Sequence, residues 1–126
     1  MIFCYLLFHI CNFGFEFNLS TQEKIPRRLL LFGQEHPEFA TQLTLLSKDS
    51  IGLKDRDISI EQFSSRGLAS TQFNINPKEF TVILIGKDGS EKYRSRSPIE
   101  LNKLFSIIDS MPMRKEEMKR KSHSKK

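Results

Sequence analysis

Phe80–Pro112 reads FTVILIGKDGSEKYRSRSPIELNKLFSIIDSMP, and the order of patterns inside it decides the architecture. Val82, Ile83, Leu84 and Ile85 are apolar without alternation, which predicts a strand over Phe80–Gly86 buried on both faces. Lys87–Ser90 contains Asp88-Gly89, a hairpin turn signal because glycine accepts the positive φ such turns need. Glu91–Arg96 returns as a polar strand whose one large apolar residue is Tyr93, the composition of a solvated edge. Ser97, Pro98 and Glu100 have the spacing of a capping box with proline at the first helical position. The helix they open carries Leu101, Leu104, Phe105, Ile108 and Met111 on one stripe, and Pro112 ends it.

Working outward, Arg28–Gly33 is a short apolar run closed by glycine and predicts a central strand. Pro37 suits the first turn of a helix. Phe39, Leu43, Leu46 and Ser50 follow at helical spacing, and Gly52 is read as the stop. Asp57–Phe63 alternates, setting Ile58, Ile60 and Gln62 against Asp57, Ser59 and Glu61, which predicts a strand with one buried face. Gly67–Phe73 is a short helix, Asn74–Glu79 a loop, and Asn18–Pro26 a polar linker. The order is strand, helix, strand, short helix, strand, strand, helix. A right-handed βαβ crossover followed by a ββ hairpin gives a mixed sheet of about four strands with helices on both faces. That is the order of an α/β three-layer sandwich of the thioredoxin type. A ferredoxin-like split βαβ is the alternative.

The 126 residues suffice for one domain, with 38% apolar and 28% charged residues, the balance of a chain that folds around a core. The formal charge of +5 is local. Residues 1–113 hold equal numbers of basic and acidic residues, and residues 114–126 carry seven Lys and Arg against two Glu. The expected organisation is an apolar leader over residues 1–19, a domain over 26–113, and a basic, disordered tail over 114–126. Arg114, Lys115, Lys119, Arg120 and Lys121 are the candidate contacts to an anionic partner or surface. Met1–Ile10 is too short to span a bilayer. Its length suits a secretory signal, hence a secreted or periplasmic protein, although no basic residue precedes it and no small-x-small cleavage site follows. A buried N-terminal strand or mis-set start, and a membrane anchor, are the other readings. Both cysteines, Cys4 and Cys11, fall in this stretch, so cleavage would leave a cysteine-free protein.

Several stretches together resemble a known family. They are Arg28–Phe32 (RLLLF), Gly52-Leu53, Asp55-Arg56-Asp57, Phe80–Gly89 (FTVILIGKDG) and Leu104–Arg114 (LFSIIDSMPMR). They are similar to the domain of unknown function 4174 over roughly residues 26–119. A related domain occurs in vertebrate extracellular sushi-repeat proteins and has been compared with thioredoxins and peroxiredoxins. The resemblance implies a thioredoxin-like fold and frequent export, and no established activity.

Thioredoxin-like enzymes place C-x-x-C between the first strand and first helix, here Gly33–Glu38 (GQEHPE), where no cysteine stands. The proline such enzymes carry before the buried strand is replaced by Glu79 or Phe80. Without a thiolate there is no reagent for disulfide exchange. Peroxiredoxins use P-x-x-x-T-x-x-C, and this chain has Pro37, Thr41 and then Thr44 in place of the nucleophile. The sequence leaves weak candidates. His36, Thr41 and Thr44 could serve a non-cysteine site. Gly33, Gln34, Glu35, His36, Pro37 and Phe80 could line a ligand cleft. An exposed loop histidine and ordinary helix threonines are the plainer readings. A lone histidine does not make a metal site, which needs three or four ligands. No cofactor and no nucleic-acid motif are implied. The function expected is that of a binding module. The alternatives are a peroxiredoxin-related enzyme with a non-cysteine site, and attachment to an anionic partner through the tail.

Overall fold

The structure, a computed structural model, describes residues 25–125. The readings placed on the leader, Cys4 and Cys11 lie outside the described residues. The elements are β1 (Arg27–Phe32), α1 (Pro37–Leu46), a 3-10 turn (Ser47–Asp49), α2 (Ser50–Asp55), β2 (Ile58–Phe63), α3 (Leu68–Gln72), β3 (Thr81–Ile85), β4 (Glu91–Ser95), α4 (Leu101–Asp109) and α5 (Pro112–Ser124). They build one mixed four-stranded sheet in the order β2-β1-β3-β4. β1 runs parallel to β2, with Arg27 opposite Ile58 and Phe32 opposite Phe63. It runs antiparallel to β3, with Arg28 opposite Ile85 and Phe32 opposite Thr81. β3 and β4 form the expected hairpin, with a bulge between Leu84 and Ile85. The architecture is α/β and fits a thioredoxin-like sandwich. A split βαβ would put another strand between the parallel pair.

Side chains alternate across the two inner strands and supply two apolar layers. Leu29, Leu31, Val82 and Leu84 face Phe39 and Leu46 of α1, Leu53 of α2, and Leu104 and Ile108 of α4. Leu30, Phe32, Ile83 and Ile85 face Phe63, Ala69, Phe73 and Ile75. The Phe32 ring stacks on Phe63 at 5.0 Å and tilts against Phe73 at 5.8 Å. Ile58 joins the first layer, but Ile60, expected on the buried face, is 36% exposed because β2 is an edge strand and the helices do not reach that far.

Gly52 does not stop the first helix. It lies inside α2, and its N–H donates to the Asp49 carboxylate, the N-cap, at 2.8 Å. A Cβ there would sit 2.4 Å from Asp49 Oδ2 and 2.9 Å from the Phe105 ring, so the glycine serves close approach.

The capping box also fails. α4 begins at Leu101, and its N-cap is Glu100, without a side-chain cap bond. Ser97 is bound into a local turn, its N–H donating to Ser95 Oγ at 3.1 Å. The cause is Gln42, wholly buried on α1. Its Oε1 accepts the Ile99 N–H at 2.8 Å, and its Nε2 donates to the Ile99 carbonyl at 3.0 Å. The side-chain amide pairs with Ile99 as a strand neighbour would, while the Ile99 side chain enters the core. That holds the segment extended and delays the helix by three residues.

The tail reading is corrected for most of its length, because Pro112–Ser124 is the helix α5. α4 ends at Asp109 with Ser110 as its C-cap, short of the expected Met111, and Pro112 is the first residue of α5, where its missing N–H costs nothing. Met, Arg, Lys and Glu are good helix formers, and the helix is moored by ion pairs described below. Among the described residues no helix is long and apolar enough to cross a membrane.

Replacing Gln42 with Leu keeps the volume but strands two buried backbone groups. The expected loss is about 2–4 kcal/mol, read as a lower urea midpoint at constant slope. An unchanged midpoint would show that the amide does not hold Ile99.

Candidate functional site

The first candidate lies where β1 ends and α1 begins. Gly33 is buried with φ +103°, a conformation that favours glycine. The turn it makes presses against the loop before β3. A Cβ at Gly33 would fall 2.8 Å from His36 Cδ2, 3.4 Å from Phe80 Cα and 3.5 Å from the Glu79 carbonyl oxygen. His36 follows as the extended N-cap of α1, with Pro37 in the first turn. Its side chain is not used as a cap. Nε2 lies 3.1 Å from the Pro77 carbonyl oxygen. A carbonyl only accepts, so Nε2 carries the proton and Nδ1 is the nitrogen left to accept when the ring is neutral. The Glu35 carboxylate stands 3.8 Å from the same Nε2.

The structure therefore brings Gly33, His36 and Phe80 together, as the sequence suggests, but closes the cleft between them. Phe80 is core: its ring meets Phe39 edge to face at 6.3 Å and is almost wholly withdrawn from solvent. Gln34, Glu35 and Pro37 are exposed around the rim. Thr41 and Thr44 do not join His36. Each hydroxyl is donated to its own helix, Thr41 to the Pro37 carbonyl at 3.4 Å and Thr44 to the Ala40 carbonyl at 3.0 Å, on the exposed side of α1. A nucleophilic hydroxyl needs a base to take its proton, and here that proton points at a backbone carbonyl. Among the described residues no group of three or more His, Cys, Asp or Glu is placed to hold a metal ion.

The expected anion contacts lie at the opposite end of the sheet, and they divide. Arg114 is 3% exposed and committed inward. It pairs with Asp55 at 2.7 Å, Asp109 at 3.2 Å and Glu117 at 3.4 Å. Lys121 holds Asp55 at 2.6 Å. Lys119 pairs with Glu116 on the helix surface, and Lys115 is exposed. Arg120 lines a cavity of about 350 Å³ with Lys87, Met113, Glu116, Glu117 and Lys121. Arg114 and Lys121 are thus mooring groups of α5. Arg56 grips Asp109 through two nitrogens at 2.9 and 3.0 Å and lies over the Phe105 ring at 3.8 Å.

Sequence reasoning missed Gln42, Arg27, Lys87 and Glu117. A signal existed for α5, since Arg114, Glu117 and Lys121 recur at i, i+3 and i+7. That is the spacing of a docked face, carried by charges instead of apolar residues.

Residues 61–117 match the family model described as Domain of unknown function (DUF4174). The chain resembles that family from β2 to the second turn of α5. The stretches Phe80–Gly89 and Leu104–Arg114 lie inside the match, whereas Arg28–Phe32 and Gly52–Asp57 fall outside it, so the matched span is narrower than residues 26–119. No curated protein matches the chain.

Two outcomes follow from this geometry. Gly33→Ala puts a side chain on a positive φ and into the His36 ring. It should cost about 1–3 kcal/mol and displace the His36 ring resonances; an undisturbed His36 with full stability would contradict the packing. The second concerns acid. Hydrogen bonds from Lys121 and then Arg114 hold the Asp55 carboxyl down to about 2. Arg56 and then Arg114 hold Asp109 below the usual range. Burial pushes Glu117 up, but hydrogen bonds from Lys87 and Arg27 outweigh it and leave the carboxyl lowered. Groups lowered in the folded state stabilise it above their ordinary values of 3.8 and 4.5, and that contribution is lost as pH falls through the folded values. Cα chemical shifts of residues 113–121 should stay helical at neutral pH and move toward coil between pH about 4 and about 2, ahead of β1 and β3. Simultaneous loss of helix and sheet would contradict it.

Proposed function

We propose that this chain is a thioredoxin-like binding module that performs no sulfur chemistry. It engages a protein partner through the exposed rim formed by Gln34, Glu35 and the Asn74–Glu79 loop. The observation that carries the reading is the His36–Pro77 hydrogen bond. It occupies the position where proteins of this type hold a reactive thiol, and it ties two loops into one fixed surface. Loops fixed on a rigid scaffold are where recognition residues concentrate. The hydroxyls of Thr41 and Thr44 are turned to their own helix, which argues against the peroxiredoxin-related alternative. The anionic-partner alternative loses Arg114 and Lys121 to pairing with Asp55, and its other cations, Lys115, Lys119 and Arg120, lie on the surface of α5, where Lys119 already pairs with Glu116. Export through an N-terminal signal remains part of this proposal and is tested by N-terminal sequencing of secreted material.

The chain should show no turnover above buffer in insulin-reduction and peroxide-consumption assays, with or without Thr41→Ala and Thr44→Ala. Turnover that disappears in Thr44→Ala would replace the binding reading with the enzymatic one.

A further inference from the structure

Arg27 starts β1 and Lys87 follows β3, and the antiparallel register of Arg28 with Ile85 sets them side by side. Both side chains are withdrawn from water, 1% and 7% exposed. A buried cation without a counter-charge is costly, and these two converge on one carboxylate. Arg27 donates from Nη1 to Glu117 Oε2 at 3.3 Å and from Nη2 to Oε1 at 3.2 Å, while Lys87 Nζ lies 2.9 Å from Oε1. Arg27 also gives Nη1 to the Arg56 carbonyl at 2.7 Å, and Lys87 meets Asp57 at 3.1 Å. Arg27 Nε, buried with the rest of the side chain, has no partner. The carboxylate fills the seat without satisfying it.

The seat belongs to the sheet, and its occupant belongs to α5. That helix brings no apolar face, since its one buried residue is Arg114 and its Met113 and Met118 are exposed. Its mooring is ionic, and desolvation offsets much of what such pairs gain. Two cavities share Lys87 and Met113 in their walls. A cavity of about 370 Å³ is lined by Arg27, Lys87, Lys92, Asp88, Met111 and Met113 among others. The other, of about 350 Å³, is bounded by Lys87, Glu117 and Arg120 among others. An anion entering either reaches Lys87, and it reaches the Arg27 fork once Glu117 swings out.

We propose that Arg27 and Lys87 form a binding site for an oxyanion, a carboxylate or phosphate group, which Glu117 occupies as an internal stand-in. The site is independent of the rim at His36, at the other end of the sheet. Phosphate offers more acceptor directions than a carboxylate and can meet Nε as well as the fork.

The test is titration of the full chain and of Glu117→Gln with inorganic phosphate and with acetate, at ionic strength held constant with sodium chloride, following the Arg27 Nε–H resonance and the melting temperature. Glu117→Gln should bind phosphate at least 10-fold more tightly than the parent, and Lys87→Met in that background should abolish the gain. A comparable response to acetate assigns the site to oxyanions generally, and a response to phosphate alone assigns it to phosphoryl groups. A folded Glu117→Gln with no response beyond the chloride control overturns the proposal, as does binding that survives Lys87→Met. Should Glu117→Gln not fold, the parent chain decides. A phosphate-dependent shift of the Arg27 resonance and rise in melting temperature at fixed ionic strength supports the site, and their absence overturns it.

Discussion

From Leu29 to Phe32 and from Val82 to Leu84, no side chain of the two central strands reaches water. Burial on both faces is the constraint everything else answers. Each face needs a roof, so α1, α2 and α4 cover one and α3 with its flanking loop covers the other. Each edge needs a partner, so β1 takes β2 on one side and β3 takes β4 on the other. The backbone leaving these strands emerges at two ends with different chemistry. One end is a tight turn with a histidine, and the other is a cluster of charges.

The two ends are fixed by different means. At the β1–α1 end, packing does the work, with glycine against backbone and a ring bound to a carbonyl. At the far end, Arg27, Arg56, Lys87, Arg114 and Lys121 interleave with Asp55, Asp57, Asp109 and Glu117. Such a cluster adds less to stability than apolar packing of the same extent. It does specify position, because each guanidinium has one orientation that meets its carboxylates. Gln42 follows the same logic inside the core: one amide with two bonds sets where α4 begins.

Much of the sheet is legible in the chain because its signals are apolar and local. The unbroken Val82–Ile85 run and the Asp88-Gly89 turn survive in the structure, and β2 forms where its alternation puts it but without the expected buried face, since Ile58 packs on one layer and Phe63 on the other while Ile60 and Gln62 are exposed. What eludes pattern reading depends on a distant partner. Ser97–Glu100 is a sound cap until Gln42, 57 residues away from Ile99, takes the backbone. Ile60 looks buried until β2 proves to be an edge. The basic C-terminal stretch looks solvated because hydropathy registers its charges and not their pairing. At the candidate site, the proximity of Gly33, His36 and Phe80 follows from the strand order. The closure of the cleft depends on Pro77, whose contribution is a carbonyl oxygen that any residue type would supply.

The mooring of α5 makes the length of its connection to α4 as constrained as its composition. Ser110 and Met111 alone separate the two helices. Each residue turns an α-helix by about 100°. One residue added to or removed from that corner would rotate the whole Arg114–Glu117–Lys121 row away from Asp55, Asp109, Arg27 and Lys87 in a single step. A substitution in the row breaks one pairing, whereas an insertion or deletion beside it dissolves the lattice of charges at that end of the sheet. Point changes along α5 are therefore the gentler kind of variation, and changes of spacing in front of it the severe kind.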